Sequence, residues 1–194
     1  PLGNAVGNNL EVIEAINTLQ NNGPEDLTEL CLTLGANMLL IGERVDNFKK
    51  GYELLKEKLE NGEAFKQFKK LVEKQGGDVS YIENPDKFKK SKKTFEIKAE
   101  SSGYLNQLKA LDIGVAAMLV GAGREKKGDE ILNEVGVIVK KKYGDYVNKG
   151  EMIARLHYNK DDDNFKEAVK KLKKAFIIKE NAPERKDLIF EIID

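Results

Sequence analysis

The hydrophobic pattern of this chain changes its period part-way along, and that change constrains the fold more than any other feature. Between residues 10 and 75, apolar side chains recur every three or four positions, as they do along one face of an α-helix. From Thr94 onward they alternate with polar side chains, which is typical of half-buried β-strands. We therefore predict an α+β fold, in which an N-terminal helical segment precedes a mostly antiparallel β-rich domain.

The helical part divides at clear start and stop signals. Asn9 is the predicted cap of a first helix, and Asn21-Asn22-Gly23 marks its end because these residues tolerate the left-handed conformation. Pro24 opens a second helix that is apolar almost all round, so we expect it to be buried on several sides, with Cys31 an inert core residue. Its main apolar stripe comprises Leu27, Leu30, Cys31, Leu34, Met38 and Ile41.

A change of composition separates the helical part from the β-rich part. Residues 76–93 contain glycines, an Asn-Pro pair and five lysines between positions 87 and 93, a mixture typical of a linker with solvated charges. We accordingly divide the chain into a helical segment (1–75), a linker (76–93) and a β-rich domain (94–194). Within that domain we predict a last strand from Leu188 to Ile193. Before it we predict a helix whose apolar face comprises Phe165, Ala168, Val169, Leu172 and Phe176.

Charge and cysteine content exclude several classes of function. The chain has 33 basic and 33 acidic residues, so nothing in its net charge favours a nucleic acid or an anionic membrane as partner. No apolar run approaches the roughly 20 residues of a membrane span, and we find no signal peptide. The single cysteine rules out an internal disulfide framework, which favours a cytoplasmic location. Because the chain starts with Pro1, we expect a fragment or a processed product.

Several motifs occur in the order and spacing of one enzyme family. They are PLGNAVGNNLEVIE at residues 1–14, GPEDLTELCLTLG at 23–35, the runs SGY, IG-x-AAM-x-x-GAGR and K-x-DEI around 103–130, and GDYVNKGE further on. Together they resemble the pyrimidine- and thymidine-phosphorylase family over nearly the whole chain. The resemblance implies that this chain is the C-terminal part of a pyrimidine-nucleoside phosphorylase, a pentosyltransferase of nucleoside salvage that forms homodimers when intact.

The resemblance also implies what the chain lacks. In this family the glycine- and serine-rich phosphate loops, and the residues that grip the pyrimidine, lie upstream of the part that resembles this sequence. Phosphorolysis of a nucleoside depends on positioning phosphate beside the sugar and on stabilising charge, so it fails without that phosphate site. We therefore expect no catalytic residue and no substrate-binding residue in this chain, no organic cofactor, and no activity of the chain alone.

One site of the family extends into this chain. Bacterial members hold a potassium ion, and the match implies that Leu2 and Ala5 contribute backbone carbonyls and that Glu14 contributes its carboxylate. Hard monovalent cations prefer several oxygen ligands, so this donor set is chemically reasonable. The other ligands would come from the upstream part, and without them Glu14 reads as an ordinary surface charge.

Other candidate sites are weaker. Gly121-Ala122-Gly123-Arg124 lacks the context of a phosphate loop, and we expect a mobile loop with Arg124 solvated or bridging to a neighbouring domain. His157 has no second ligand beside it and falls on the polar face of a strand. Asp161-Asp162-Asp163 lacks calcium-loop spacing and suits a helix N-terminus.

A second class of function comes from residues 135–156. They resemble the hairpin of biotinyl and lipoyl carrier domains, which predicts a small barrel-like sandwich and leaves an independent carrier or binding module as the alternative function. Such carriers present a modifiable lysine at the tip of a tight hairpin, and we see no lysine so placed. The intact mass of the chain separates the two hypotheses, since a carrier gains a biotinyl or lipoyl group.

Overall fold

The computed structural model describes residues 1–184 and 187–191. Contacts divide the chain into two compact units. The β-rich unit contains Pro1, Gly3–Val12 and the described residues of 88–186, whereas the helical unit contains Leu2, Ile13–Lys87 and the described residues of 187–194. Residues Gly3–Val12, which the sequence analysis grouped with the helices, lie in the β-rich unit because they include a strand of its sheet.

The helical part follows the predicted start and stop signals closely. It contains α1 (Asn8–Leu19), α2 (Glu25–Ile41), α3 (Phe48–Glu60), α4 (Glu63–Lys74) and α5 (Val79–Glu83), followed by a 3-10 turn at Pro85–Lys87. Asn21 adopts a left-handed conformation (φ 59°) just after α1, as its position predicted. Asn47 caps α3 by accepting a hydrogen bond of 3.0 Å from the backbone N–H of Lys50.

The second helix is exposed where the sequence predicted burial. Its buried positions are Leu32, Thr33 and Ala36, which lie on the side that packs against α3. Gly51 of α3 makes this packing close, because a Cβ atom there would lie 3.0 Å from the carbonyl oxygen of Ala36.

Most of the apolar stripe predicted on α2 is exposed. Met38 is 72% exposed, Ile41 is 83% exposed and Cys31 is also exposed. The prediction of a helix buried on several sides, with Cys31 in the core, is therefore wrong, since four of the six residues of that stripe are exposed.

The β-rich unit contains two antiparallel sheets, which confirms the predicted class. Its strands are β1 (Ala5–Val6), β2 (Lys93–Lys98), β3 (Gly103–Leu108), β4 (Gly136–Val139), β5 (Tyr146–Val147), β6 (Met152–Tyr158) and β7 (Phe176–Lys179). One sheet has the order β1-β4-β6-β2 and the other has the order β5-β3-β7. The described strands thus form two separate sheets rather than one closed barrel.

Two helices of the same unit complete its core. They are α6 (Ala110–Ala117), which continues into a π-helical turn at Met118–Ala122, and α7 (Asp163–Ala175). Leu105 of β3, Leu156 of β6 and Leu172 of α7 are fully buried members of a single apolar cluster. Because both sheets and both helices contribute to it, this cluster holds the strands in place.

The end of the chain differs from its prediction. Phe176, which we expected on the apolar face of the helix, instead opens β7 and pairs with Leu108 of β3. The predicted last strand, 188–193, is not a strand at residues 188–191, and its last two positions lie outside the described residues. The third strand of the small sheet is therefore β7.

Candidate functional site

The segment carrying the PLGNAVGN motif is an edge strand of the larger sheet. Within it, β1 pairs antiparallel with β4, with Ala5 opposite Ile138 and Val6 opposite Val137. The carbonyl oxygen of Asn4 extends this ladder by accepting a hydrogen bond of 2.7 Å from the backbone N–H of Val139. The motif is thus held by main-chain hydrogen bonds to a strand more than 130 positions away in sequence.

Two glycines allow this segment to approach β4. Gly7 and Gly136 have φ angles of 136° and 150°, a region that side chains disfavour. A Cβ atom on Gly7 would lie 2.6 Å from the carbonyl oxygen of Val135, and one on Gly136 would lie 2.3 Å from that of Val6. Both positions therefore exclude a side chain.

Side chains fix the turn from β1 into α1. Glu11 accepts a hydrogen bond of 2.8 Å from the backbone N–H of Gly7 through Oε1, while its own N–H donates to the Gly7 carbonyl at 2.9 Å. Asn8 donates from Nδ2 to the carbonyl of Ala122 at 3.0 Å. The helix begins at Asn8, so the predicted cap at Asn9 is wrong: that side chain donates to the carbonyl of Lys89 at 3.1 Å.

The three predicted potassium ligands lie in different surroundings. Leu2 is exposed, Ala5 is buried in β1, and Glu14 is half-buried on α1. Among the described residues, no group of three or more histidine, cysteine, aspartate or glutamate side chains could hold a metal ion. This absence concerns side chains, whereas two of the three predicted potassium ligands are backbone carbonyl oxygens. The potassium site therefore stays a prediction.

The residues that follow the Gly121–Arg124 loop direct main-chain amides at a carboxylate of the chain. The backbone N–H groups of Glu125 and Lys126 both donate to the Asp129 carboxylate, at 3.2 and 2.7 Å. Arg124 is exposed and donates from Nε to the carbonyl of Asp129 at 3.3 Å. The amides of Glu125 and Lys126, just after Arg124, are thus occupied by the chain's own carboxylate.

The lone histidine occupies a half-buried position. Its Nδ1 lies 3.2 Å from Oγ of Ser91, and the neighbouring polar groups on the sheet include Arg155 and Lys140. Burial, together with the positive charges of Arg155 and Lys140, lowers the pKa of His157 below its ordinary value. A histidine kept neutral in this way suits a structural hydrogen bond.

The acidic run at residues 161–163 is a helix start, as predicted. Asp162 caps α7 by accepting from the backbone N–H of Phe165 at 2.9 Å. Asp161 accepts from the Tyr158 hydroxyl at 3.0 Å and pairs with Lys93. Both carboxylates are therefore accounted for by the local fold.

Comparison with known proteins decides the family. Residues 104–179 match the family described as "Pyrimidine nucleoside phosphorylase C-terminal domain". The pyrimidine-nucleoside phosphorylase of Staphylococcus haemolyticus (strain JCSC1435) is 45% identical over 182 residues, which cover 94% of this chain and 42% of that protein. The chain is a pyrimidine-nucleoside phosphorylase relative. Its match lies in the C-terminal part of the relatives, as the sequence motifs predicted.

Other staphylococcal pyrimidine-nucleoside phosphorylases agree. The Staphylococcus aureus protein (strain bovine RF122 / ET3-1) is 42% identical over 178 residues, covering 92% of this chain and 41% of that protein. The Staphylococcus epidermidis protein (strain ATCC 12228 / FDA PCI 1200) is 45% identical over 159 residues, covering 82% and 37% respectively. The chain thus spans about two fifths of the length of the curated phosphorylases that it matches.

The structure contains a buried carboxylate, that of Glu134, which we did not predict from the sequence. Glu134 is only 4% exposed, yet it pairs with Lys89 at 2.6 Å and accepts from Nδ2 of Asn159 at 3.0 Å. Burial raises the pKa of Glu134, but hydrogen bonds from Lys89, its own backbone N–H and Asn159 outweigh that effect and lower it overall. A single glutamate before a strand gave no signal of burial, and Lys89 was predicted to be solvated.

The helices give no sign of a membrane segment. Throughout the part of the chain that the structure describes, none of them combines the length and apolarity that crossing a bilayer requires.

Proposed function

We propose that this chain is the C-terminal part of a pyrimidine-nucleoside phosphorylase whose intact form transfers the pentose of a pyrimidine nucleoside to phosphate. The observation that carries the proposal is the 45% identity to the S. haemolyticus enzyme across 94% of the chain. The intact protein would act in nucleoside salvage in the cytoplasm, as a homodimer that binds a pyrimidine nucleoside, phosphate and potassium.

The chain alone is proposed to be inactive. It matches only about two fifths of each relative, and the transfer needs a phosphate site held against the sugar. The main-chain amides of Glu125 and Lys126, which lie in the loop most similar to a phosphate loop, already bind the Asp129 carboxylate. We propose that this C-terminal part supports a phosphate and nucleoside site that is formed by residues of the upstream part.

A chimera tests the function of the intact form. The chain is joined to the upstream part of the S. haemolyticus phosphorylase at the point where their alignment begins, and release of uracil from uridine and phosphate is measured. We expect phosphate-dependent activity toward uridine and none toward a purine nucleoside. A folded chimera without phosphorolysis, beside an active S. haemolyticus control, would refute the proposal.

We also propose that Leu2, Ala5 and Glu14 contribute to a potassium site in the intact form. Two carbonyl oxygens and a carboxylate are hard oxygen donors of the kind that alkali cations select. When bound, the ion would neutralise nearby negative charge. In the chimera, Glu14→Gln should reduce the rise in melting temperature that KCl gives over NaCl, and Glu25→Gln serves as the control. An unchanged difference between the two salts would exclude Glu14 as a ligand.

A further inference from the structure

The N-terminal segment directs two backbone carbonyls at one ammonium group. Nζ of Lys142 donates to the carbonyl oxygen of Pro1 at 2.7 Å and also to that of Gly3. Gly3 is buried and has a left-handed backbone (φ 65°), so the chain turns at this point. Two carbonyl oxygens separated by one residue thus converge on a single positive charge.

Both sides of this contact are held in place by the fold. The backbone N–H of Lys142 donates to Oδ2 of Asp145 at 2.7 Å, and that turn is bonded to β3 through the N–H of Gly144, 2.8 Å from the Leu105 carbonyl. The segment is fixed just after Gly3 by the hydrogen bond from Val139 to Asn4. The carbonyls therefore meet a charge whose anchor does not depend on them.

Oxygen atoms arranged in this way suit a small cation. Carbonyl oxygens that converge on one point bind ammonium groups through N–H donors and alkali ions through their partial negative charge. We propose that the carbonyls of Pro1 and Gly3 form a cradle for a small monovalent cation of the ammonium type, which Lys142 fills with its own side chain. The cradle uses different oxygen atoms from the proposed potassium site, so it does not rest on that proposal.

A cation cradle and a simple tether predict different results when the Lys142 side chain is removed. If Lys142 only tethers the segment, its removal loosens residues 1–4 and no added ion restores them. If the carbonyls form a cradle, a free cation with N–H donors enters the space that the truncated side chain leaves. Chemical rescue therefore distinguishes the two roles.

The test uses the 194-residue chain with Lys142→Ala and follows, by NMR, hydrogen exchange of the Val139 amide, which donates to the Asn4 carbonyl at 2.7 Å. Losing hydrogen bonds from a charged donor should raise exchange there by about tenfold. Methylammonium should restore most of the protection, whereas tetramethylammonium, which has the same charge and no N–H donor, should not. Lys141→Ala is the matched control, because Lys141 is the adjacent lysine and pairs with Glu151 at 2.8 Å.

The outcomes are decisive in each direction. Protection lost in Lys142→Ala and regained only with methylammonium supports the cradle. Unchanged exchange in the variant, or a loss that both cations leave unrepaired or repair equally, overturns it. If Lys142→Ala does not fold by circular dichroism, Lys142→Leu, which keeps an apolar stem and has no N–H donor, is put through the same comparison and judged by the same results.

Discussion

Gly7 and Gly136 meet with so little space between their backbones that a Cβ atom on either would lie 3.1 Å from the Cα atom of the other. Their contact joins the turn before α1 to the first residue of β4. Because a phosphorylase-like motif near the start of the sequence is held there by β4, the β-rich unit combines Gly3–Val12 with residues that follow position 87.

Replacing Gly136 with alanine should strongly destabilise the β-rich unit. The new methyl group would meet the Val6 carbonyl, and the φ of 150° would add backbone strain, so we expect a loss of about 3 kcal/mol. Gly144→Ala is the control, because Gly144 also has a positive φ (90°) but nothing lies within 4 Å of its Cβ position. That variant should lose only about 1 kcal/mol. Urea denaturation measures both, and equal losses would contradict the close approach.

Glu134→Gln should weaken the protein most clearly near neutral pH. Because the folded state lowers the pKa of Glu134, its carboxylate contributes stability above the unfolded pKa, about 4.3, and loses it as pH falls through the folded pKa. We expect a loss of about 1–3 kcal/mol at pH 7 that shrinks below pH 4. Denaturation at several pH values measures this. Exposed Glu125→Gln is the control, and a pH-independent difference for Glu134→Gln would argue against the ionised pair.

Tyr52 should titrate late. Its hydroxyl donates to Oε2 of Glu29 at 2.6 Å, and that hydrogen bond, with burial and the Glu29 charge, raises the pKa of Tyr52 to about 12. A raised tyrosine pKa gives stability that is present below pH 10 and lost between about 10 and 12. Phenolate absorbance should show a titration near pH 12 that Tyr52→Phe removes and Glu29→Gln shifts earlier. An unchanged titration in Glu29→Gln would exclude the pair.

Cys31 should react with a thiol reagent in the native chain. It is exposed on α2, although its neighbour Leu32 is buried. We expect labelling of the folded protein at a rate within about tenfold of the unfolded chain, and Cys31→Ser to change stability by less than about 0.5 kcal/mol. Labelling that proceeds only after unfolding would instead favour the buried position that the sequence pattern predicted.

Local signals in the sequence correctly predicted where several helices begin and end. The helical period and the Asn-Gly punctuation placed α2, α3 and α4, and Asp162 was correctly placed at the start of α7. These features depend on neighbours within a few positions, so sequence reading can find them. The burial of α2 could not be found in this way, because the apolar stripe of a helix does not show which side its neighbour covers.

The features of the candidate site depend on residues far apart in sequence. Gly7 and its partner Gly136 are 129 positions apart, and no local signal in the sequence connects them. Lys89 and Lys142 each lie in a lysine-rich run, and nothing in the sequence distinguishes them from their neighbours. Lys89 nevertheless pairs with buried Glu134, and Lys142 binds two carbonyls. Only the folded chain distinguishes these lysines from their neighbours.

We propose that these 194 residues belong to a nucleoside phosphorylase without containing its reaction centre. The most direct measurement is uracil release from uridine and phosphate by the purified chain alone, beside the full-length S. haemolyticus phosphorylase. We predict no release above that of heat-denatured chain at any phosphate concentration at which the full-length enzyme is saturated. Release that is proportional to the concentration of the chain, and that co-purifies with it, would contradict the claim.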